Sequence, residues 1–477
     1  MPAAGCAKRL PRSRGTAGAG TAKGAFVNER SLLDLCLTLV EHARKAGADE
    51  AEAAAAWQHA VETHIENGVP HTVHSREEAM FGLRVVVGGA QGFVTANDME
   101  PELLAERAAE AVAQARVTPP DPAAGLPDPQ DVARVPGLYD PDVADVGAEA
   151  TARLATDMLA RIRDLDSRVR VDSGSVSATV TMNALTSTRG IAASEASSMM
   201  DASAFGMAVD GDDVASFDYD SAVARRVRGF EAEMAEACER FVAKCVCGLG
   251  AGRGESFRGP IVLSPDAVAE FLLPTLVSAL TADAVRKGRS PLGSRIGTSV
   301  ASEVLTLWDD GRVPGGASSS AFDREGLPTA RRALLTAGVL QGLLFNHYEA
   351  RAAGGNARST GNAVGSVTSL PSVGPHRLEL EPGNTAMDAL IASGERAVWV
   401  GRYSGSTNAV TGDFSGVVKN GFLIENGERR PVREVLIAGN VYELLGRISA
   451  ASRERRDIGG SVLVPALRCE DVSITAG

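Results

Sequence analysis

The side chains of this chain that could bind a metal or move a proton are few, and their spacing fits neither task. His71 and His74 are three residues apart in a predicted strand, a spacing that places two rings on opposite faces of a sheet. Cys245 and Cys247 flank a single residue near a predicted helix end, whereas zinc knuckles and redox pairs have two intervening residues. His347 could act as a general base, although a half-buried, hydrogen-bonded ring is the favoured interpretation. These residues therefore predict no assembled metal or catalytic site.

Other loops lack the spacing of known functional loops. The acidic stretches 309–311 and 323–326 lack the alternating oxygen ligands over about twelve residues that a calcium loop needs, so they are predicted to be turns. The glycine-rich stretch 354–361 does not have the spacing of a P-loop. No Ser–His–Asp set or nucleophile elbow can be recognised either.

One stretch would be suited to position catalytic ligands, because it runs from a short strand directly into a helix. Ser264 can cap this helix, which is predicted from Pro265 to Asp283 and is apolar on nearly every side. Such a helix should be buried. Its middle contains no histidine; the residues there are Leu273, Pro274, Thr275 and Ser278.

Composition limits the possible classes of protein. The chain has 477 residues, 44% of them hydrophobic, and a formal net charge of -12, which disfavours a protein that binds the phosphate backbone of nucleic acid. No apolar run approaches the length of a membrane span. Six cysteines are sparse for this length and favour a reducing, cytoplasmic location. Residues 1–27 are basic at the start and lack the apolar segment of a secretory signal, so a disordered leader is expected there.

The hydrophobic patterns predict an α+β fold. A helix, a group of alternating strands with an Asn-Gly turn, and a second helix indicate an N-terminal domain at 28–118, a helix–antiparallel sheet–helix region in two layers. Two of these strands are predicted at 72–76 and 81–87. A Pro- and Asp-rich linker is predicted at 119–145. A middle α+β region at 146–250 repeats the same order of elements, and 255–477 is predicted to be a mainly antiparallel β domain.

Several short motifs in the second half occur in a specific order and spacing. They are Val300-Ala301-Ser302-Glu303, Asp323-x-Glu325-Gly326, Ser359-Thr360-Gly361-Asn362, Thr411-Gly412-Asp413-Phe414-Ser415-Gly416 and Gly421-Phe422-Leu423-Ile424-Glu425-Asn426-Gly427-Glu428. With these motifs the chain resembles the TldD/TldE (PmbA) family, known as modulators of DNA gyrase and as two-subunit zinc metalloproteases. The resemblance implies that 255–477 is a metalloprotease-like domain.

The resemblance also implies a role for the apolar helix. Catalytic members of the family carry HExxxH there and a cysteine near the C-terminus, which together bind zinc. In this chain the three corresponding positions are occupied by Leu273, Pro274 and Ser278, hereafter the degenerate positions, and the cysteine is missing. The resemblance therefore implies a non-catalytic, TldE/PmbA-like subunit without a cofactor of its own. Zinc is expected in a TldD-like HExxxH partner, and the substrate is expected to be a peptide or an unfolded protein, with no direct nucleic-acid binding.

Two polar loops are expected to face the shared cavity or the partner. Their residues are Arg358, Thr360, Gly361 and Asn362 in the first loop and Thr411, Gly412, Asp413 and Ser415 in the second. Two alternatives stay open. One is a non-enzymatic, peptide-binding or chaperone-like homodimer that uses the same cavity. The other is a hydrolase with relocated chemistry around His347.

Overall fold

The computed structural model describes residues 28–97, 100–392 and 396–477, and these residues form an α+β protein. The predicted leader at 1–27 lies outside the described residues. The prediction of an N-terminal helix–antiparallel sheet–helix region followed by a mainly antiparallel β region is confirmed. Among the described helices, none combines the length and the apolar character needed to cross a membrane.

The elements of the first half are α1 (Glu29–Ala46), β1 (Glu50–Glu66), β2 (Val69–Val87), β3 (Ala90–Ala96), α2 (Pro101–Val117), α3 (Ala148–Leu165), β4 (Val169–Ser187), β5 (Ala192–Asp210), β6 (Asp213–Val214), β7 (Asp218–Ala224) and α4 (Phe230–Val246). The next elements are β8 (Gly252–Arg253), β9 (Phe257–Leu263), α5 (Pro265–Ala267), α6 (Leu273–Ala279), α7 (Ala282–Arg286), β10 (Leu307–Asp310), β11 (Arg331–Thr336), β12 (Val339–Leu340), α8 (His347–Ala353), β13 (Ala363–Val364), β14 (Ser372–Val373) and β15 (Leu378–Leu380). The last elements are α9 (Met387–Ile391), β16 (Ala397–Val400), β17 (Arg402–Thr407), β18 (Asp413–Lys419), β19 (Gly421–Glu425), β20 (Glu428–Arg433), β21 (Val435–Asn440), α10 (Val441–Gly446), β22 (Ile448–Ile458) and β23 (Val462–Ala476).

The first sheet is antiparallel and joins the first and middle parts of the chain. Its strand order is β3-β2-β1-β4-β5-β6, with β7 also paired to β5. Strand β1 pairs with β2 on one side and with β4 on the other along almost its whole length. The sequence blocks 28–118 and 146–250 therefore contribute strands to one sheet, although the polypeptide between them, 119–145, runs outside it.

Strand β2 differs from its prediction. Separate strands were expected at 72–76 and 81–87, but the chain forms one strand from Val69 to Val87. The residues between the two predicted strands keep their pairing because β1 presents an equally long ladder, in which Gln58 lies opposite Glu78. A long partner strand thus overrides the weak local β-propensity of Glu77 and Glu78.

The two faces of this sheet differ in polarity. One face packs against the helices: Leu83 contacts the core beneath α1 and α2, and Val176 the core beneath α3 and α4. The opposite face is half-exposed and polar, and along β4 it carries Ser175, Ser177, Thr179, Thr181 and Asn183. Because alternate side chains of a strand point to opposite faces, the alternating burial of β4 follows directly from its sequence.

The second sheet is large and mixed. Most of its strands pair antiparallel, but β9 runs parallel to β16, β15 parallel to β23, and β8 parallel to β20. Strand β9 lies between β23 and β16, so it is at the centre of the sheet, and the helical segment that follows it is buried with it.

The buried helical segment is shorter and less regular than predicted. Ser264 caps it as expected, with its Oγ accepting a hydrogen bond from the Ala267 backbone N–H at 3.0 Å. A π-helical turn then occupies 268–272, and α6 ends at Ala279 rather than at Asp283. Pro274 explains the π turn, because a proline has no N–H to donate and its ring clashes with the carbonyl four residues before it in a regular helix.

Candidate functional site

The degenerate positions do not converge on one point. Leu273 is 1% exposed and belongs to the core of the second sheet, whereas Pro274 and Ser278 are exposed. Two side chains five residues apart are separated by about 140° around a regular α-helix, which is why positions 273 and 278 point apart in α6. All three border an open hollow of about 460 Å³ beside Val373 and Leu378. None of the described residues that line the hollow is a histidine.

The remaining candidate ligands are also dispersed. Within the part of the chain that the structure describes, no group of three or more His, Cys, Asp or Glu side chains is arranged to hold a metal ion. Cys469 is fully buried on β23 opposite Ile261, and burial raises the pKa of its thiol. Cys245 is buried and Cys247 half-buried, and burial raises the pKa of each thiol to about 12. These thiols stay protonated at neutral pH and are poor metal ligands.

Asn362 is structural, which corrects the expectation that it faces a cavity. Its side chain is 1% exposed, and its amide nitrogen donates to the Asp309 carboxylate at 2.6 Å and to the Gly374 carbonyl at 3.0 Å. Asp309 also accepts the backbone N–H of His376 at 2.7 Å. A buried carboxylate is stable only with hydrogen-bond donors around it. The loop turns inward here because it supplies such donors to Asp309.

The rest of the first loop is divided between the interior and the surface. Gly361 is buried with a positive φ of 72°, a conformation that favours glycine. Thr360 is half-buried; its hydroxyl accepts the Phe345 backbone N–H at 2.8 Å and donates to Asn362 at 2.7 Å. Arg358 is exposed. Gly361 therefore does not face a cavity as predicted, and Arg358 is the residue of this loop that a partner can reach.

The second loop presents more of its predicted residues to solvent. Thr411, Asp413 and Ser415 are exposed, whereas Gly412 is buried beside Tyr442, a second correction to the expected cavity-facing set. Asp413 accepts hydrogen bonds from the Asn440 side-chain amide at 2.9 Å and from the Thr411 hydroxyl at 2.8 Å, and these bonds hold its pKa below the usual range. The loop is thus a fixed, polar and anionic tip.

A buried ion cluster connects the first sheet to the C-terminal region. Arg84 on β2 contacts Glu52 on β1 at 2.7 Å and Glu325 at 3.2 Å, and Arg324 contacts Glu52 at 3.2 Å. All four side chains are at most 6% exposed. The sequence predicted the turn at 323–326 but not the ion pairs that its side chains form. Arg84 could have been singled out in the sequence, because it is a charged residue among the apolar residues of β2.

The neighbouring Asp323 anchors the same turn. Its carboxylate accepts the backbone N–H groups of Glu325 at 2.9 Å, Leu327 at 3.0 Å and Ala363 at 3.0 Å. Burial, together with the charge of Glu325, raises the pKa of Asp323 to about 8. The acidic motif is therefore part of the framework, as the prediction of a turn implied.

A second charge cluster lies between α4 and the start of the buried helix. The Lys244 ammonium is 3.3 Å from Asp218, 3.1 Å from Asp220 and 3.5 Å from Asp266, and Arg456 contacts both Asp220 and Asp266. Burial raises the pKa of Asp266. The cluster borders a cleft of about 890 Å³ whose lining also includes Trp399 and Phe422. The carboxylates of this cluster are already paired with Lys244 and Arg456. The cluster therefore serves to hold α4 against the start of the buried helix.

A groove separates the polar face of the first sheet from the C-terminal loops. It has a volume of about 600 Å³ and is lined on the sheet side by Gln58, Arg76, Glu78, Thr181 and Asn183 and on the loop side by Phe322, Arg324, Val364, Ser366 and His376. Its lining contains hydrogen-bonding groups of both kinds beside apolar side chains that include Met80, Leu185 and Val367. Such a mixed lining can accommodate both the polar backbone and the apolar side chains of an extended chain.

His347 is a poor general base in this setting. It is half-buried, as predicted, and its backbone N–H donates to Glu325 at 2.7 Å. The expected hydrogen bond of the ring is not seen, since Nε2 has no partner among the described atoms. Burial and the nearby guanidinium groups of Arg351 and Arg84 lower the pKa of His347 to about 4. A base this weak accepts few protons at neutral pH.

Comparisons with known proteins define the class. The family model described as the PmbA/TldA metallopeptidase C-terminal domain matches residues 256–476, and the one described as PmbA/TldA metallopeptidase domain 1 matches residues 51–116. These matches cover more than half of the chain. The chain belongs to the PmbA/TldD metallopeptidase family.

Individual relatives differ in how far the similarity extends. Metalloprotease PmbA of Escherichia coli O157:H7 is 24% identical over 92% of this chain and 96% of its own length. The metalloprotease TldD homologue of Haemophilus influenzae is 26% identical over 45% of this chain and 48% of its own length. Among solved structures, TldE from Thermococcus kodakarensis superimposes with a TM-score of 0.85 at 24% identity, covering 92% of this chain and all of that one. At this identity the structural likeness shows a shared fold.

Proposed function

We propose that this chain is the TldE/PmbA-like, non-catalytic subunit of a TldD/TldE-type metallopeptidase that acts on peptides or unfolded proteins. The observation that carries this proposal is the chemistry and burial of the side chains at the degenerate positions. Leu273 and Pro274 have no atom that can bind a metal, and Leu273 is 1% exposed in the core, so these positions hold no pair of ligands for one metal ion. The zinc of the complex is expected in a partner subunit that carries HExxxH.

The extent of similarity supports the same assignment. The match to the PmbA protein extends over 92% of the chain, whereas the match to the TldD homologue covers 45%. Similarity to PmbA along nearly the whole chain, and to TldD along less than half of it, fits a TldE/PmbA-like subunit. The sparse cysteines, six in 477 residues, favour the cytoplasm as the location of this complex.

The surface offered to the partner or to the shared cavity is the second loop together with Arg358. Thr411, Asp413 and Ser415 are exposed side by side, and hydrogen bonds fix the carboxylate of Asp413 in place. A pre-ordered polar tip loses little conformational entropy when it docks. The charge of Asp413 suits a basic residue on the other subunit.

The test is reconstitution with an HExxxH-bearing relative from the same organism. Hydrolysis of an unfolded peptide is measured for this chain, for the relative and for the mixture, and the zinc of each is counted after dialysis against a chelator. We expect cleavage and zinc only where the relative is present, and more cleavage in the mixture. Cleavage by this chain alone, or zinc that survives the dialysis in it, would overturn the proposal.

A matched pair of variants tests the proposed surface. Replacing Thr411, Asp413 and Ser415 by alanine should weaken co-purification with the relative, because all three are exposed and none supports the core. Glu149→Ala on the exposed face of α3 should have no effect. The chaperone-like homodimer is the alternative outcome: this chain would then bind peptide as a dimer of itself and would not bind the relative.

A further inference from the structure

Two histidines that are far apart in the sequence meet on the polar face of the first sheet. His64 on β1 and His74 on β2 have ring centroids 5.3 Å apart at an interplanar angle of 72°. In the sequence, the histidine nearest to His74 is His71, and the spacing of these two predicts separated rings. The contact between His64 and His74 joins two strands and cannot be recognised from the sequence spacing. We propose that His64 and His74 form a binding site for a divalent transition-metal ion.

The strand register places the two rings on one face. Glu62 lies directly opposite His74, and His64 lies two residues after Glu62, so all three side chains point the same way. Rings this close, on adjacent strands, can both direct a nitrogen to one ion with only small rotations of exposed side chains. Imidazole is a preferred ligand of Zn²⁺, Cu²⁺ and Ni²⁺.

A carboxylate supports the first of these rings. The Glu62 carboxylate is 3.3 Å from His64 Nε2. Metal-binding histidines commonly donate one ring N–H to a carboxylate, which fixes the ring and strengthens the other nitrogen as a ligand. Glu62 is therefore assigned as a positioning residue, and the metal would bind at the free nitrogen of His64 and at a nitrogen of His74.

The site is open rather than closed. No third ligand converges on the pair within the described residues, in agreement with the lack of a group of three or more candidate ligands there. His64 is 46% exposed and Glu62 37% exposed. Arg76, two residues after His74 on the same face of β2, lines the groove beneath the C-terminal loops. The open coordination positions would thus be next to the groove, available to water or to a carbonyl or carboxylate of a bound chain.

The same hairpin supplies a matched control. His71 is 59% exposed and lies 3.6 Å from the Glu66 carboxylate, but within the described residues it makes no ring contact with another histidine. His71 is the extra residue of a bulge between the paired residues Pro70 and Thr72, which sets it apart from the pair. It thus resembles His64 in exposure and in its acidic neighbour, and differs in lacking a second imidazole.

The experiment measures binding of Zn²⁺ and of Cu²⁺ to the chain without a histidine tag. Calorimetry gives the affinity and the number of ions bound, and electron paramagnetic resonance of the Cu²⁺ form reports the nitrogen ligands. We expect one ion with two nitrogen ligands, at least ~10-fold weaker binding for H64A and for H74A, and no change for H71A. E62Q should weaken binding by ~10-fold or more through the lost support of His64. All four residues are at the surface, so thermal melting should match the parent chain.

Two results would refute this assignment. One is equal binding by the parent chain, H64A and H74A; the other is a loss for H71A as large as for H64A, which would mean adventitious binding by exposed histidines only. The inference does not rest on the subunit role. Its measurements use this chain alone, and an ion held by two ligands is removed by the chelator dialysis that precedes the zinc count described above. Failure of either proposal can therefore be recognised separately.

Discussion

Replacement of Arg84 by methionine tests whether the buried ion cluster holds the first sheet to the C-terminal region. Arg84 is 4% exposed, and it is the guanidinium shared by Glu52 and Glu325. Without it, Glu52 keeps Arg324, but among the described residues Glu325 keeps only the backbone N–H of His347. Removing one member of a buried pair leaves a buried charge without compensation, at a cost of about 3–5 kcal/mol in the free energy of unfolding.

The matched control is an exposed pair on the same strand. Arg76 and Glu78 are 3.1 Å apart, with side chains 65% and 39% exposed. Arg76→Met should change the free energy of unfolding by no more than about 1 kcal/mol, because water screens the exposed pair and competes for its hydrogen bonds. Both variants are compared by urea unfolding at pH 7 and followed by circular dichroism.

The double variant and the pH dependence separate charge from packing. Burial raises the pKa of Glu325 even with Arg84 present, so protonation of Glu325 relieves the variant as the pH falls. The cost of Arg84→Met should therefore be smaller at pH 5 than at pH 8. In R84M/E325Q the two costs should not add, since the second change removes the uncompensated charge. Equal costs for Arg84→Met and Arg76→Met, or simple additivity in the double variant, would show that the reasoning is wrong.

Three further predictions concern the framework and the helix. Asn362→Leu should lower the free energy of unfolding by about 1–3 kcal/mol because it removes a donor from buried Asp309, whereas Arg358→Ala should change it by less than about 0.5 kcal/mol; urea unfolding measures both. Burial raises the pKa of Asp323 from its ordinary value of 3.8 to about 8, so the folded state binds more protons between these values. Its contribution to stability is then complete below about pH 4 and is lost as the pH rises toward 8, and Asp323→Asn should remove this slope from a series of unfolding curves. Histidine, glutamate and histidine at the degenerate positions should not create a zinc site that survives dialysis, because the first side chain points into the core; stoichiometric zinc in that variant would contradict the geometry.

The fold class followed from the sequence because its elements have clear periodicity. The alternation of apolar and polar residues in β4 and the apolar stripe of α1 are local properties, and a single sequence displays them. The continuity of β2 through Glu77 and Glu78 was not predictable in this way. It depends on the length of β1, a partner that only the folded sheet supplies.

The candidate site shows the same division between local and long-range information. The sequence located the polar loops, but it could not show that Asn362 turns inward, because its partner Asp309 is 53 residues earlier in the chain. It could not show the His64–His74 pair either, since pairing across a hairpin depends on register, and a bulge beside His64 sets that register.

The geometry of the apolar helix bears on whether this chain could bind zinc. A zinc-binding helix needs two imidazoles on one side, and positions five residues apart satisfy this only if the helix is wound more loosely than an α-helix between them. In this chain the loosely wound π turn precedes Leu273, and the regular turns of α6 follow it. The winding itself, as well as the side chains, therefore separates the degenerate positions. Restoring the catalytic residue types should therefore not restore the geometry, which is why the proposed function places the zinc in a partner subunit.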